Sequence, residues 1–355
     1  WIGGLITYQG FRLASERAVP LSLITPGVNK EEIIKTLARI GHKFHQVILV
    51  GYPPFVKDIV DEAIARKIRL RKMNLRLMFA AEAFTEKFRD YLVKKTGIQN
   101  LYRDTLNIYG TADIGAMAWE TPTSILVRRI AMKKKGIFNA LFSKITKTPT
   151  LAQYNPLFIT FEEENGTLLL TGNSALPLIR YSTGDHGGVH TFTEVCDILQ
   201  KHKISLEKAA RQEQIENYIY QLPFVYVYER EDFSTTLYGI QIYPEMVREA
   251  LMDTYLNKYL TGKFTMLTKY DQHQDQYLEI NLELKRDKKP TPYLRKRAVV
   301  KIMQSLRAKS SEFRELSNYL EERANPKIVF WKYEHPLYFR PGIKQRWVLK
   351  KNGRR

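Results

Sequence analysis

Three short segments combine glycine with carboxylate where a strand should end, a combination that can hold a polar ligand. In Tyr109-Gly110-Thr111-Ala112-Asp113 an aromatic ring, a glycine, a hydroxyl and a carboxylate lie close together. The glycine lets backbone approach a ligand, and open parallel sheets bind ligands beyond the carboxyl ends of their strands; such a turn also serves purely structural ends. In Pro177-Leu178-Ile179-Arg180-Tyr181-Ser182-Thr183-Gly184-Asp185 an apolar run enters Thr-Gly-Asp. A rigid turn there would fix the Asp185 carboxylate where it can accept from both hydroxyls of a ribose, or the aspartate caps its own turn. The third segment is Arg230-Glu231-Asp232, followed by Gly239 nine residues after the arginine and then by Tyr243-Pro244. A charged link, a strand, a glycine turn and a helix opening at proline suit a hinge between domains, or an ordinary linker.

Other chemistry-bearing residues fall outside these segments. His186 and His190 would make a metal pair only on a helix, and Gly187-Gly188 between them argues for a turn after Asp185. The single cysteine, Cys196, excludes an internal disulfide and a Cys-cluster metal site, and reads as a core residue.

The elements that must position these groups follow from periodicity. Val19–Ile24, Gln46–Val50, Leu75–Ala80 and Thr105–Tyr109 read as strands, with Gln46–Val50 buried and ended by a loop at Gly51-Tyr52-Pro53-Pro54. Helices are expected over Lys30–Ile40, Phe55–Arg66 and Glu86–Thr96, so strands alternate with helices as in a parallel sheet. After Lys133-Lys134-Lys135, the strands Leu157–Glu162, Thr167–Thr171 and Leu176–Tyr181 are joined by tight glycine turns and read as antiparallel; aromatic residues at Tyr218–Tyr228 read as core strands. Beyond Arg230 come a helix (Pro244–Tyr259), two strands (Phe264–Tyr270, Gln276–Lys285), a long charged helix (Tyr293–Arg323) and a strand (Lys327–Tyr333). The expected fold is α/β: a large domain, residues 1–230, with a mostly parallel sheet and a smaller antiparallel β subdomain, then a small mobile α+β domain, residues 231–355.

With 355 residues, 44% hydrophobic and 26% charged, the chain is neither disordered nor fibrous, and its length suits two domains. Lys+Arg exceed Asp+Glu by 56 − 37 = 19, which favours anionic partners. No recognition helix, zinc-finger spacing or aromatic RNA motif accompanies that charge, so nucleic acid is not the expected partner. No apolar run reaches the roughly 18 residues of a membrane span, and a cytoplasmic location is expected. A chain opening Trp1-Ile2-Gly3-Gly4 without Met is expected to be a fragment.

Taken together, the segments resemble the adenylate-forming enzymes, in particular the phenylacetate–coenzyme A ligase family and its capsule-biosynthesis (CapK-like) relatives. That family has a Gly-Ala-Glu strand end, Tyr-Gly-x-Ser/Thr-Glu, Pro-Leu-Ile-Arg-Tyr-x-Thr-Gly-Asp, Arg-x-Asp-Asp with glycine nine residues after the arginine, and Asn-Val-Phe-Pro. The counterparts here are Ala80-Ala81-Glu82, Tyr109–Asp113, Pro177–Asp185, Arg230–Asp232 with Gly239, and Gln241-Ile242-Tyr243-Pro244. The resemblance implies that ATP and an aryl or acyl carboxylic acid give an acyl-adenylate, whose acyl group passes to the thiol of coenzyme A or of a carrier protein. By the same analogy Ala81, Glu82, Tyr109, Gly110 and Thr111 surround the nucleotide, and Asp185 takes the ribose hydroxyls. Arg230 contacts ribose or α-phosphate, Asp113 stands at the Mg²⁺ position, and Asp232 is the hinge. Lys344, in Pro341-Gly342-Ile343-Lys344-Gln345-Arg346, is the counterpart of a C-terminal lysine that neutralises charge on the α-phosphate.

The chain departs from the pattern in places. No Ser/Thr/Gly-rich phosphate loop ending in lysine occurs in these residues; in the family it lies upstream of the stretch matching Trp1, so the fragment by itself is expected to be inactive. Ala112 and Asp113 replace a hydroxyl residue and a glutamate, Ser182 replaces a frequent arginine, and Gly342 and Arg346 are each one residue out of register with Lys344. These departures leave an alternative: a non-catalytic nucleotide-binding member of the family, acting as a scaffold in polysaccharide assembly.

Overall fold

The run Val47–Gly51 is β-branched and apolar, and it opens the first βαβ unit as strand β1. The computed structural model describes residues 2–17, 19–143, 148–173, 177–228 and 234–339. The chain forms two compact units, Trp1–Glu231 and Asp232–Arg355.

In the first unit β1 pairs in parallel with β2 (Leu75–Ala80), and β2 with β3 (Thr105–Thr111). The crossover helices are Pro53–Ala65 and Glu86–Thr96; the Thr85 hydroxyl caps the latter by accepting the Phe88 N–H. Antiparallel strands continue the same sheet: β4 (Gly115–Trp119), β5 (Thr150–Gln153), β6 (Ile159–Glu164), β7 (Thr167–Gly172), β8 (Leu178–His190) and β9 (Phe224–Tyr228). The nine strands run in the order β1-β2-β3-β4-β5-β9-β8-β7-β6, so the parallel and antiparallel parts form one α/β sheet. Phe79, Val60, Phe88 and Leu92 bury one core beside the parallel strands. Ile125, Val127, Val195, Leu199 and Phe224 bury a second under the helices Pro122–Lys133 and Phe192–Lys201, and Cys196 packs half-buried against it.

Several expectations are corrected. Val19–Ile24 is not a strand: it pairs with nothing among the described residues, and Val19 and Ile24 are half exposed. Strand propensity without a neighbour to satisfy the backbone does not make a ladder. β1 is an edge strand, with Ile48 and Val50 exposed, rather than a buried one. Pro53 and Pro54 are the first turn of a helix, since proline at the helix start costs no hydrogen bond. The opening helix Ile2–Glu16 has no counterpart among the expected elements, its glycines masking the helical pattern.

The correction that matters most concerns Asp185. Residues Leu178–His190 are one continuous strand, and His186-Gly187-Gly188 pair with Tyr228, Val227 and Tyr226 instead of turning. The glycines are there because β9 comes close: a Cβ at Gly187 would lie 2.0 Å from the Tyr226 carbonyl oxygen. Gly187→Ala is therefore expected to cost roughly 1–3 kcal/mol or more, read as a lower urea midpoint at unchanged slope.

In the second unit β10 (Thr235–Leu237) and β11 (Ile240–Ile242) form a hairpin through Tyr238-Gly239. β12 (Leu260–Tyr270) runs antiparallel to β13 (Gln276–Leu284), which is parallel to β14 (Lys327–Trp331). The expected helix 244–259 ends at Ala250, because the Asp253 carboxylate starts a new turn by accepting the Tyr255 and Leu256 N–H groups. The expected helix 293–323 breaks at Ser310, which caps Ser311–Leu320 through the Phe313 N–H. No helix among the described residues is long and apolar enough to cross a membrane.

Candidate nucleotide site

β3 alternates faces, so Thr105, Asn107 and Tyr109 share one side. At Gly110 the strand bends into a hairpin with β4; a Cβ there would lie 2.3 Å from the Gly115 carbonyl oxygen, so only glycine fits the close approach. The exposed turn carries Asp113, and the Thr111 hydroxyl accepts the Ile114 N–H at 3.3 Å. β8 carries Tyr181, Thr183 and Asp185, with a register shift against β7 between Ser182 and His186.

These two segments meet. The Tyr109 hydroxyl donates to Asp185 Oδ2 at 2.7 Å, and the Thr183 hydroxyl donates to the same oxygen at 2.7 Å. In the opposite sense, the Tyr181 hydroxyl donates to Asp113 Oδ2 at 3.3 Å. Two tyrosine–aspartate pairs thus cross between the β3–β4 hairpin and β8, and Asp185 is held by neighbouring hydroxyls within a strand. Beside the Tyr109 ring, at 6.0 Å between centroids, lies Phe161.

The end of β2 adds backbone. Ala81 has φ 72°, a left-handed conformation that L-residues other than glycine rarely adopt. Such strain concentrates where a peptide group must face a ligand. Glu82 is buried, and its carbonyl accepts the Asn107 Nδ2–H at 3.0 Å. The Asn107 side-chain oxygen is buried without a hydrogen-bond partner among the described residues, a costly state for an amide. Sequence reasoning missed Asn107, although it stands two residues before Tyr109 on the same face.

Sequence reasoning also missed the charged network behind these strands. Glu120 Oε2 accepts the backbone N–H of Asn107 at 2.9 Å. The fully buried Arg89 donates from Nη2 to both Glu120 oxygens at 2.8 Å, from Nε to Glu86 Oε2 at 3.0 Å, and from Nη1 to the Thr105 hydroxyl at 2.7 Å. Arg128 and Arg129 donate to the two Glu86 oxygens at 2.8 and 2.7 Å. Burial pushes the Glu86 carboxyl up, but the guanidinium groups of Arg89, Arg128 and Arg129 together bring it down to about 2. Burial holds Arg128 below the usual arginine range despite both carboxylates.

Of the remaining expected site residues, Arg230, Asp232 and Lys344 lie outside the described residues. His186 Nδ1 sits 3.0 Å from the Gly166 carbonyl and His190 Nε2 2.8 Å from that of Leu141, both on a strand. Among the described residues no group of three His, Cys, Asp or Glu side chains could hold a metal ion. A cavity of about 240 Å³ opens next to the hairpin, walled by Ile114, Met117, Trp119, Phe158 and Ile159 with the amide of Asn155.

No family model and no curated protein matches the chain. Solved structures similar to it include a 2-hydroxyisobutyryl-CoA ligase in complex with 2-HIB-AMP and CoA, at 14% identity and a TM-score of 0.49, over 93% of this chain and 58% of that one. Another is the amide bond synthetase McbA from Marinactinospora thermotolerans, at 11% identity and TM-score 0.44, over 85% and 51%. A third is a malonyl-CoA ligase with methylmalonyl-CoA and AMP bound, at 10% identity and TM-score 0.45, over 86% and 55%. The chain spans less than three fifths of the length of each of these three.

Proposed function

We propose that the first unit binds an adenine nucleotide, and that the protein activates a carboxylic acid as its acyl-adenylate and passes the acyl group to the thiol of coenzyme A or of a carrier protein. The observation that carries this reading is the meeting of Tyr109 and Asp113 with Tyr181 and Asp185, from segments about 70 residues apart. The Tyr109 hydroxyl and Thr183 fix one oxygen of Asp185, which orients the carboxylate for a ribose diol through charge-assisted hydrogen bonds. The Tyr109 ring offers a face to the base, and the unpaired Asn107 oxygen is an acceptor for an exocyclic amino group.

In the first half-reaction a carboxylate oxygen of the acid attacks the α-phosphorus and pyrophosphate leaves. In the second the thiolate attacks the acyl carbon and AMP leaves. The apolar part of the acid is assigned to the cavity of about 240 Å³ beside Ile114, whose walls are mostly apolar. Arg230 is assigned to the ribose or α-phosphate, Lys344 to the charge developing on the α-phosphate, and Asp232 to the hinge. Asp113, an exposed carboxylate, would hold Mg²⁺ together with the nucleotide phosphates. The ion would neutralise phosphate charge.

Ala112 and Asp113, lacking a hydroxyl and a methylene, favour a second reading in which nucleotide is bound but not turned over. Acid-dependent release of pyrophosphate from ATP separates the two. Release that requires one member of a panel of aryl and short acyl acids supports the ligase. AMP binding with no release for any acid, in the longest natural form of the chain, supports the scaffold.

A further inference from the structure

The helix Pro292–Lys309 carries six basic side chains and no acidic one. Those six divide by side. Arg297 and Lys301 pair with Asp253 at 2.7 and 3.6 Å, and Lys309 pairs with Glu249. Arg295, Lys296 and Arg307 face elsewhere and line a groove of about 840 Å³, with Val299, Val300 and Met303 between them. None of these three cations has a carboxylate within ion-pair distance among the described residues. Arg295 donates to the Ile328 carbonyl, and Arg307 to Ser317 Oγ at 2.8 Å and Asn318 Oδ1 at 2.9 Å. Leu294, Ala298, Ile302 and Leu306, on the inward face, already fill the core, so the aliphatic residues of the groove are surplus to it.

We propose that this groove binds an acidic amphipathic helix of a partner protein, its apolar anchors on Val299, Val300 and Met303 and its carboxylates on Arg295, Lys296 and Arg307. Val299, Val300 and Met303, at i, i+1 and i+4, make one apolar strip that the i, i+3, i+4 anchors of a docked helix can cover, and the cations supply the sign of the partner. The chemistry favours this occupant over the others. Residues 340–355 of this chain hold seven Lys or Arg and no Asp or Glu, so they repel the groove. A second copy carries the same net charge of +19. Single-stranded nucleic acid binds largely by stacking its bases on aromatic rings, and the groove-lining residues include none. A bilayer presents no protruding element to a concave groove, whereas interfacial helices bind lipid by an outward apolar face. This surface does not depend on the nucleotide reading.

The test is fluorescence anisotropy with the whole chain and a labelled helical peptide of about 16 residues, Leu at i, i+3, i+4, i+7 and Glu elsewhere, in about 0.15 M salt. We expect it to bind at least about tenfold tighter than a peptide with Lys in place of Glu, or one of the same charge without Leu. Lys296→Glu with Val300→Glu should weaken binding by about tenfold or more, while Lys94→Glu with Lys201→Glu leaves it unchanged. Lys296 and Val300 are exposed, and Lys296→Glu alone serves should the double variant unfold. Equal binding by the groove variants and the parent overturns the proposal. So does binding of the Leu-free peptide, of single-stranded DNA or of phosphatidylserine vesicles with the same affinity and the same loss.

Discussion

Asp185→Ala is expected to weaken AMP binding by roughly a hundredfold to ten-thousandfold while leaving the fold intact. A carboxylate accepting from two ribose hydroxyls makes two hydrogen bonds to a charged group, each about 1.5–3 kcal/mol, and 1.4 kcal/mol is tenfold in Kd. The effect on stability should be small by comparison, because Asp185 is only half-buried. Asp185→Asn keeps one acceptor oxygen and loses the charge, so it should fall between the two. Tyr109→Phe tests the orienting role: the ring stays, the 2.7 Å bond goes, and a loss of roughly three- to tenfold is expected. Calorimetric titration with AMP reads all three. An Asp185→Ala protein that binds AMP like the parent would remove Asp185 from the site.

The second large effect concerns stability, at the network behind the site. Glu120→Ala leaves the fully buried Arg89 with one carboxylate fewer and orphans the Asn107 N–H. Breaking a buried ion pair from one side costs about 3–5 kcal/mol. The same network should make the protein acid-labile. Glu86 titrates at about 2 in the fold against an ordinary 4.5, so the folded state holds the proton less tightly than the unfolded one. Its stabilisation is fully present above about pH 4.5 and is lost as pH falls toward 2, amounting to about 3 kcal/mol. Glu86→Gln should therefore be destabilised most at pH 7, with the gap from the parent narrowing between pH 4.5 and 2 in urea titrations. A gap that stays constant with pH would show that Glu86 does not carry the dependence.

Much of the parallel half was legible because its signals are local. Lys30–Ile40, Leu75–Ala80 and Glu86–Thr96 fall where read, each set by an apolar period or a cap within a few residues. β8 was not legible. Thr-Gly-Asp and Gly187-Gly188 look like turn chemistry, but the glycines answer to Tyr226 on a strand about 40 residues away, and only the assembled sheet reveals that. The site divides in the same way. Tyr109, Asp113 and Asp185 were singled out from motif order, while Tyr181 as the partner of Asp113, and Glu120 as the acceptor of the Asn107 N–H, depend on strand pairing that spacing does not encode. Asn107 could have been found from the period of two along β3, had the unpaired oxygen been foreseeable.

The central claim, that Tyr109 and Asp185 frame an adenine nucleotide with the ribose on the carboxylate, is tested most directly by titrating the protein with AMP, 2′-deoxy-AMP and 3′-deoxy-AMP. AMP should bind, each deoxy nucleotide should bind about tenfold or more weakly, and the difference should vanish in Asp185→Ala. Equal affinity for all three in the parent, or no binding of AMP, would contradict the account.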